Sequence, residues 1–115
     1  MAKNIICIAT LDTKGHEIQY VKEIIQARGH RAVIVDCGSM GEPLIPADIT
    51  REELIEAART TMEEVTGAGS AGKASEIMIT GLRKIIRGLY ESKSLDGVVA
   101  IGVGYAVYWV VRWMV

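Results

Sequence analysis

Three short, uninterrupted apolar runs constrain this chain more than any other feature. They are "NIICIAT" at residues 4–10, "AVIV" at residues 32–35 and "VVAI" at residues 98–101. A strand with one solvated face alternates apolar and polar residues, whereas a strand covered on both faces reads as a continuous apolar run. All three runs are of the second kind. They therefore predict strands of a parallel sheet sandwiched between helices, with the first strand from Asn4 to Thr10.

The stretches between them carry helical periodicity. Past a polar turn, Ile18, Val21, Ile24 and Ile25 recur at helical spacing until Gly29 stops the pattern, which predicts a helix of about three turns. Thr50 and Glu53 form a capping box opening a second helix, with Leu54, Ile55, Ala58, Met62 and Val65 as its apolar stripe. "TGAGSAGKAS" interrupts that helix. A third runs from about Ser75 to Tyr90 on Ile77 or Met78, Leu82, Ile85, Ile86 and Leu89, before "SKSLDG" turns the chain into the last strand. Strand, helix, strand, two helices, strand is the order that builds right-handed parallel crossovers. The fold class expected is α/β, a Rossmann-like three-layer α/β/α arrangement with a mainly parallel sheet that three strands leave incomplete. Residues 1–115, half of them hydrophobic, suffice for a single domain around one core.

Several function classes drop out. The net charge is -1 and no run of five or six like charges occurs, so nucleic acid is not an expected partner. Cys7 and Cys37 lie in apolar runs without a CxxC spacing or a neighbouring His, which predicts buried reduced thiols and no metal site. The N-terminal "MAKNIICIA" lacks the features of a signal peptide, so the expected compartment is the cytoplasm. From Gly97 to Val111 no residue is charged, but the run is short for a bilayer, interrupted by Gly and rich in β-branched residues. A buried strand followed by further core is expected there, and no membrane span. His16 and His30 have no nucleophile or carboxylate at a telling spacing and read as surface residues; no catalytic group is assigned.

Three stretches are candidates for ligand contact. Thr10, Asp12, Thr13 and Lys14 fall at the carboxyl end of the first strand and the start of the first helix, the edge at which open α/β sheets bind ligands. Helix-start amides and the Lys14 charge suit an anion, and a Thr hydroxyl adds a donor. The plainer alternative is that Thr13 caps the helix and Lys14 is solvated. "GAGSAGKAS" places Gly67, Gly72 and Lys73 at phosphate-loop spacing, yet Ala74 stands where the magnesium-binding hydroxyl belongs and a helix precedes it, so it reads as a linker. Gly102 and Gly104 follow the third strand and would let backbone amides approach a ligand, or would simply end the strand. Asp36, at the end of the second strand, stands where ribose hydroxyls are often held, or in an ordinary turn.

"TLDTKGHEIQYVKEIIQARGHRAVIVDCGSMGEP", then Asp48, Ile49, Arg51 and Glu53, then "LDGVVAIGVG", resemble in order three blocks of the Tm-one-like ATP-binding family. That family is named for a tomato protein conferring resistance to tomato mosaic virus. The resemblance implies a Rossmann-like nucleotide-binding domain that takes ATP, with magnesium as its companion, and that forms the front part of a longer protein with a second α/β domain. It puts Thr10, Asp12, Thr13, Lys14 and Gly15 on the first nucleotide loop, Asp36 and Gly38 at the end of the second strand, and Gly102 and Gly104 on the glycine loop. After Gly104 the chain departs from the family's "GG.GGT" segment into "YAVYWVVRWMV". Residues 105–115 are an apolar tail, for which burial in a homodimer is expected. An assembly role with a vestigial nucleotide site is the alternative reading.

Overall fold

The computed structural model describes residues 2–38, 41–59 and 71–102, of residues 71–75 the backbone alone. In chain order the described elements are β1 (Asn4–Ala9), α1 (Leu11–Ala27), β2 (Arg31–Asp36), α2 (Arg51–Ala57), α3 (Ala71–Glu91) and β3 (Gly97–Ile101). The strands form a three-stranded sheet in the order β2-β1-β3, and both pairings are parallel. Ile5 lies level with Ala32 on one side and Gly97 on the other. This is an α/β fold with an incomplete Rossmann-like sheet, as the three apolar runs predict.

The continuous apolar character of β1 has its cause in two cores. Ile6 and Ile8 point to one face, where they pack with Val35, Leu54, Ile55, Met78, Leu82 and Ile86 beneath α2 and α3. Cys7 and Ala9 point to the other, with Leu11, Ile18 and Ile34 beneath α1. Each fully buried aliphatic side chain contributes about 1.5–3 kcal/mol by leaving water, so the central strand anchors both layers.

The helix ends follow local chemistry, with one departure. α1 begins at Leu11, inside the expected polar turn, because the buried Leu11 side chain anchors it and the Thr10 carbonyl accepts from the Thr13 and Lys14 amides at 3.1 and 2.7 Å. Lys14, at φ -120° and ψ 19°, kinks this first turn. α1 ends at Ala27, and just beyond its C-cap Arg28 stands Gly29, whose φ of +83° suits glycine. The capping box at α2 forms as expected, the Glu53 amide donating to Thr50 Oγ1 at 3.2 Å. Met62 and Val65, expected in the same stripe, lie outside the described residues, as do Gly67, Gly104 and the tail 105–115. Gly72, Lys73 and Ala74, read from sequence as linker, belong to α3, which starts ahead of the expected Ser75. Gly81 lets α3 cross α2 at backbone distance: a Cβ there would overlap the Leu54 carbonyl oxygen and sit 2.6 Å from its carbon.

Asp48 and Ile49, ahead of α2, are tied to β2. The Asp48 and Ile49 amides both donate to the Ile34 carbonyl at 2.9 Å, the Ile34 amide donates to Asp48 Oδ2 at 2.8 Å, and Ile49 bridges Val35 in parallel. The outer edge of β2 is thereby covered, which removes a free sheet edge. No helix among the described residues is long and apolar enough to cross a membrane.

Candidate functional site

All three strands end at one edge of the sheet, where Thr10, Cys37 and Gly102 immediately follow them. A parallel sheet in the order β2-β1-β3 reverses its direction of progression at β1, so the carboxyl ends of β1 and β3 form a topological switch point, where open α/β sheets place ligands. Thr10 and Gly102 meet at that point. A Cβ on Gly102, whose φ is +141°, would lie 3.1 Å from Thr10 Oγ1. Thr10 Oγ1 in turn pairs with Thr13 Oγ1 at 2.7 Å, and Thr13 is exposed.

Beside the switch point, over the end of β2, a buried ion pair organises the edge. Arg51 Nε donates to Asp36 Oδ2 at 2.9 Å, and both side chains are almost completely buried. Asp36 Oδ1 accepts from the Leu11 amide at 3.2 Å and the Gly38 amide at 2.8 Å, so one carboxylate ties β2 to the start of α1 and to its own loop. Arg51 Nη1 donates to the Gly41 carbonyl at 2.5 Å, while the Gly41 amide donates to Asp12 Oδ2 at 3.0 Å. Arg51 Nη2 is buried and finds no acceptor among the described residues. An unsatisfied buried donor costs about 1–3 kcal/mol. Gly38 fits here only without a side chain, since a Cβ would stand 2.9 Å from Asp12 Oδ1 and 3.1 Å from Arg51 Nη2. An open cleft of about 410 Å³ lies alongside, with Asp36 and Arg51, the prolines Pro43 and Pro46, and the carboxylates Glu42 and Glu52 in its lining.

The residues singled out from sequence thus separate into groups. Thr10, Thr13 and Gly102 come together at the switch point. Asp12, Asp36 and Gly38 belong to the network around Arg51, with both Asp36 oxygens occupied by protein donors. Lys14 sits on the surface, 3.6 Å from Glu17. Gly15 is buried under the loop, where a Cβ would stand 2.8 Å from that of Leu44. Arg51 is the residue whose role sequence reasoning missed. The signal was present: Arg51, Leu54 and Ile55 share helical spacing, which puts the arginine on the buried stripe of α2.

The cysteines hold no reactive position. Burial pushes the Cys7 thiol up to about 11, and burial together with the negative charge of Asp36 pushes Cys37 up to about 12. Both are free and buried. Among the described residues no cluster of His, Cys, Asp and Glu could hold a metal ion.

Comparison with known proteins gives the lineage. The model of the "Uncharacterised protein family (UPF0261) N-terminal domain" matches residues 3–114. The chain belongs to the UPF0261 family. A UPF0261 protein of Clostridium tetani is 30% identical over 102 residues, covering 89% of this chain and 25% of that protein. UPF0261 proteins of Brucella suis and Brucella melitensis are each 30% identical over 98 residues, covering 85% of this chain and 23% of theirs. The chain spans about a quarter of the length of these curated relatives. No solved structure matches it.

Membership in the UPF0261 family overturns the resemblance to the Tm-one-like family, and the ATP-binding module that rested on it falls too. The physical reason lies in what the quoted blocks do. Asp36 and Arg51 neutralise each other inside the fold. Asp96 of the "LDG" block accepts from the Asn4 amide at 2.7 Å and returns its own amide to the Asn4 carbonyl at 2.9 Å, aligning β3 with β1. Of the helix-start amides offered to a phosphate, those of Thr13 and Lys14 already donate to Thr10. These blocks build a scaffold, and a scaffold is shared by proteins with unrelated ligands.

Proposed function

We propose that this chain is a small-molecule-binding module at the amino-terminal end of a longer protein, taking a polar ligand at the carboxyl edge of its sheet. The observation that carries the reading is the strand order β2-β1-β3, which brings Thr10, Thr13 and Gly102 to the switch point. In this reading the Thr10 and Thr13 hydroxyls contact the ligand, and the Gly102 backbone, free of a side chain, lets it approach the strand ends. The Asp36–Arg51 network keeps that edge rigid. Lys14 stands at the rim and biases the site towards ligands with a negative or hydrogen-bond-accepting group. The module works in the cytoplasm, in keeping with two buried thiols that form no disulfide. The remainder of the protein, about three-quarters of the length of the relatives, supplies whatever chemistry follows binding.

The test is a nuclear magnetic resonance screen of the chain against a small panel of metabolite-sized acids, polyols and amines. The reading expects hits that shift the amides of residues 10–14 and Gly102, with affinity reduced about three- to tenfold in Thr10→Ala, as for loss of one neutral hydrogen bond. Hits that map elsewhere, or an affinity unchanged in Thr10→Ala, would overturn it.

A further inference from the structure

The outer face of the helical layer carries two charge stripes of opposite sign and equal spacing. On α2, Glu52, Glu53 and Glu56 are exposed; on α3, Arg83, Lys84 and Arg87 are exposed. Each triplet follows the pattern i, i+1, i+4, and each lies opposite its helix's buried residues, Leu54 and Ile55 on α2 and Leu82 and Ile86 on α3. The two helices pack against each other through Gly81 and Leu54 over the same face of the sheet. No ion pair joins the stripes among the described residues; the one contact of either is Arg87 with Glu91 at 3.8 Å, between two highly exposed side chains. Thr80, Arg83, Lys84 and Arg87 line a shallow hollow of about 180 Å³, large enough for carboxylate ends.

We propose that this face is a self-complementary docking surface for a second copy of the chain. A two-fold axis normal to the surface lays the acidic stripe of each copy on the basic stripe of the other, and an isologous contact of this kind satisfies both stripes at once. A partner of one sign would satisfy only one. The opposed carboxylates and cations steer the two copies together and fix their register, so the association is sensitive to salt.

The experiment is sedimentation velocity of the full chain over a range of concentrations, at low and at high salt, with two charge-reversed variants. One is Arg83→Glu with Arg87→Glu, and the other is Glu52→Lys with Glu56→Lys, each checked by circular dichroism for retention of the fold. The wild-type chain is expected to dimerise at low salt and to dissociate as salt rises. Each variant alone is expected to dimerise at least about tenfold more weakly, and an equimolar mixture of the two to form a heterodimer, because their stripes are again complementary. A wild-type chain that stays monomeric at every concentration at low salt overturns the proposal. So does a dimer indifferent to both reversals, or a mixture that restores nothing. Should a variant misfold, the salt dependence of the wild-type dimer decides, and a salt-independent dimer counts against the proposal.

Discussion

Replacing Arg51 by methionine tests the central structural claim, that the carboxyl edge of the sheet is organised by a buried ion pair. Methionine keeps the length and apolar stem of the side chain but removes the guanidinium, leaving the Asp36 carboxylate with the Leu11 and Gly38 amides as its donors and no countercharge. Breaking a buried pair from one side costs about 3–5 kcal/mol, because the remaining charge is stranded away from water. The substitution also removes Nη2, itself an unsatisfied buried donor, and this offsets part of the loss. The expected destabilisation therefore falls at the lower end, about 3 kcal/mol. With an unfolding entropy of roughly 2.1 cal/mol/K per residue, that lowers the melting temperature by roughly 12 °C. Thermal and urea unfolding followed by circular dichroism measure it. A double-mutant cycle with Asp36→Asn then separates the pair from its surroundings, and a coupling of at least about 2 kcal/mol is expected for groups in direct contact. If Arg51→Met melts within about 4 °C of the wild type and the two substitutions add, the pair is solvated and the edge is held by something else.

Gly81→Ala should destabilise by about 1–3 kcal/mol, since the added methyl meets the Leu54 backbone, whereas Gly88→Ala in the same helix meets nothing and should stabilise by about 0.5–1 kcal/mol; urea midpoints that move the same way would contradict the crossing geometry. Thr50→Ala should cost about 1 kcal/mol through loss of the bond to the Glu53 amide, and a neutral result in the same assay would show that α2 is capped otherwise. Cys7 and Cys37 should react with a thiol reagent at pH 8 only at the rate of global unfolding; rapid labelling of the folded chain would contradict their burial. Their raised values also have a sign: the unfolded chain loses these protons near pH 9.0 and the folded chain only near 11 and 12, so the stability they contribute is complete below pH 9.0 and declines as pH rises through that window. A urea midpoint that rises over this range in the wild type relative to Cys37→Ala would refute that assignment.

How much of this was legible in the sequence depends on the range of the interaction concerned. Strands, helices and their parallel order could be read because each rests on local periodicity: Ile6 with Ile8 and Cys7 with Ala9 face opposite layers, and that alternation is what an unbroken apolar run encodes. Gly29 and the Thr50–Glu53 box were legible for the same reason, their partners being within a few residues. The site was only half legible. A strand-end position points to Thr10 and Asp36, but the partner of Asp36 stands fifteen residues away on another element, and a charge that looks available to a ligand in the sequence is spent on holding the fold. The resemblance likewise put Gly15 and Gly38 in the ligand site, whereas Leu44, Asp12 and Arg51 fill the space beside them.

The same distinction explains why motif blocks alone led to the wrong family. A block such as "LDG" or "DITRE" is constrained jointly by a strand register, a helix cap and a buried counter-ion, each of which the fold needs whatever it binds. What would identify a ligand is a polar group the fold leaves unspent. At the carboxyl edge the candidates are the Thr10 and Thr13 hydroxyls, which bond to each other and face Gly102, and the unsatisfied Arg51 Nη2 beside them; sequence marks the two threonines only by their place at a strand end. It is the strand order, a property of the whole chain, that turns these two ordinary threonines into the residues to test first.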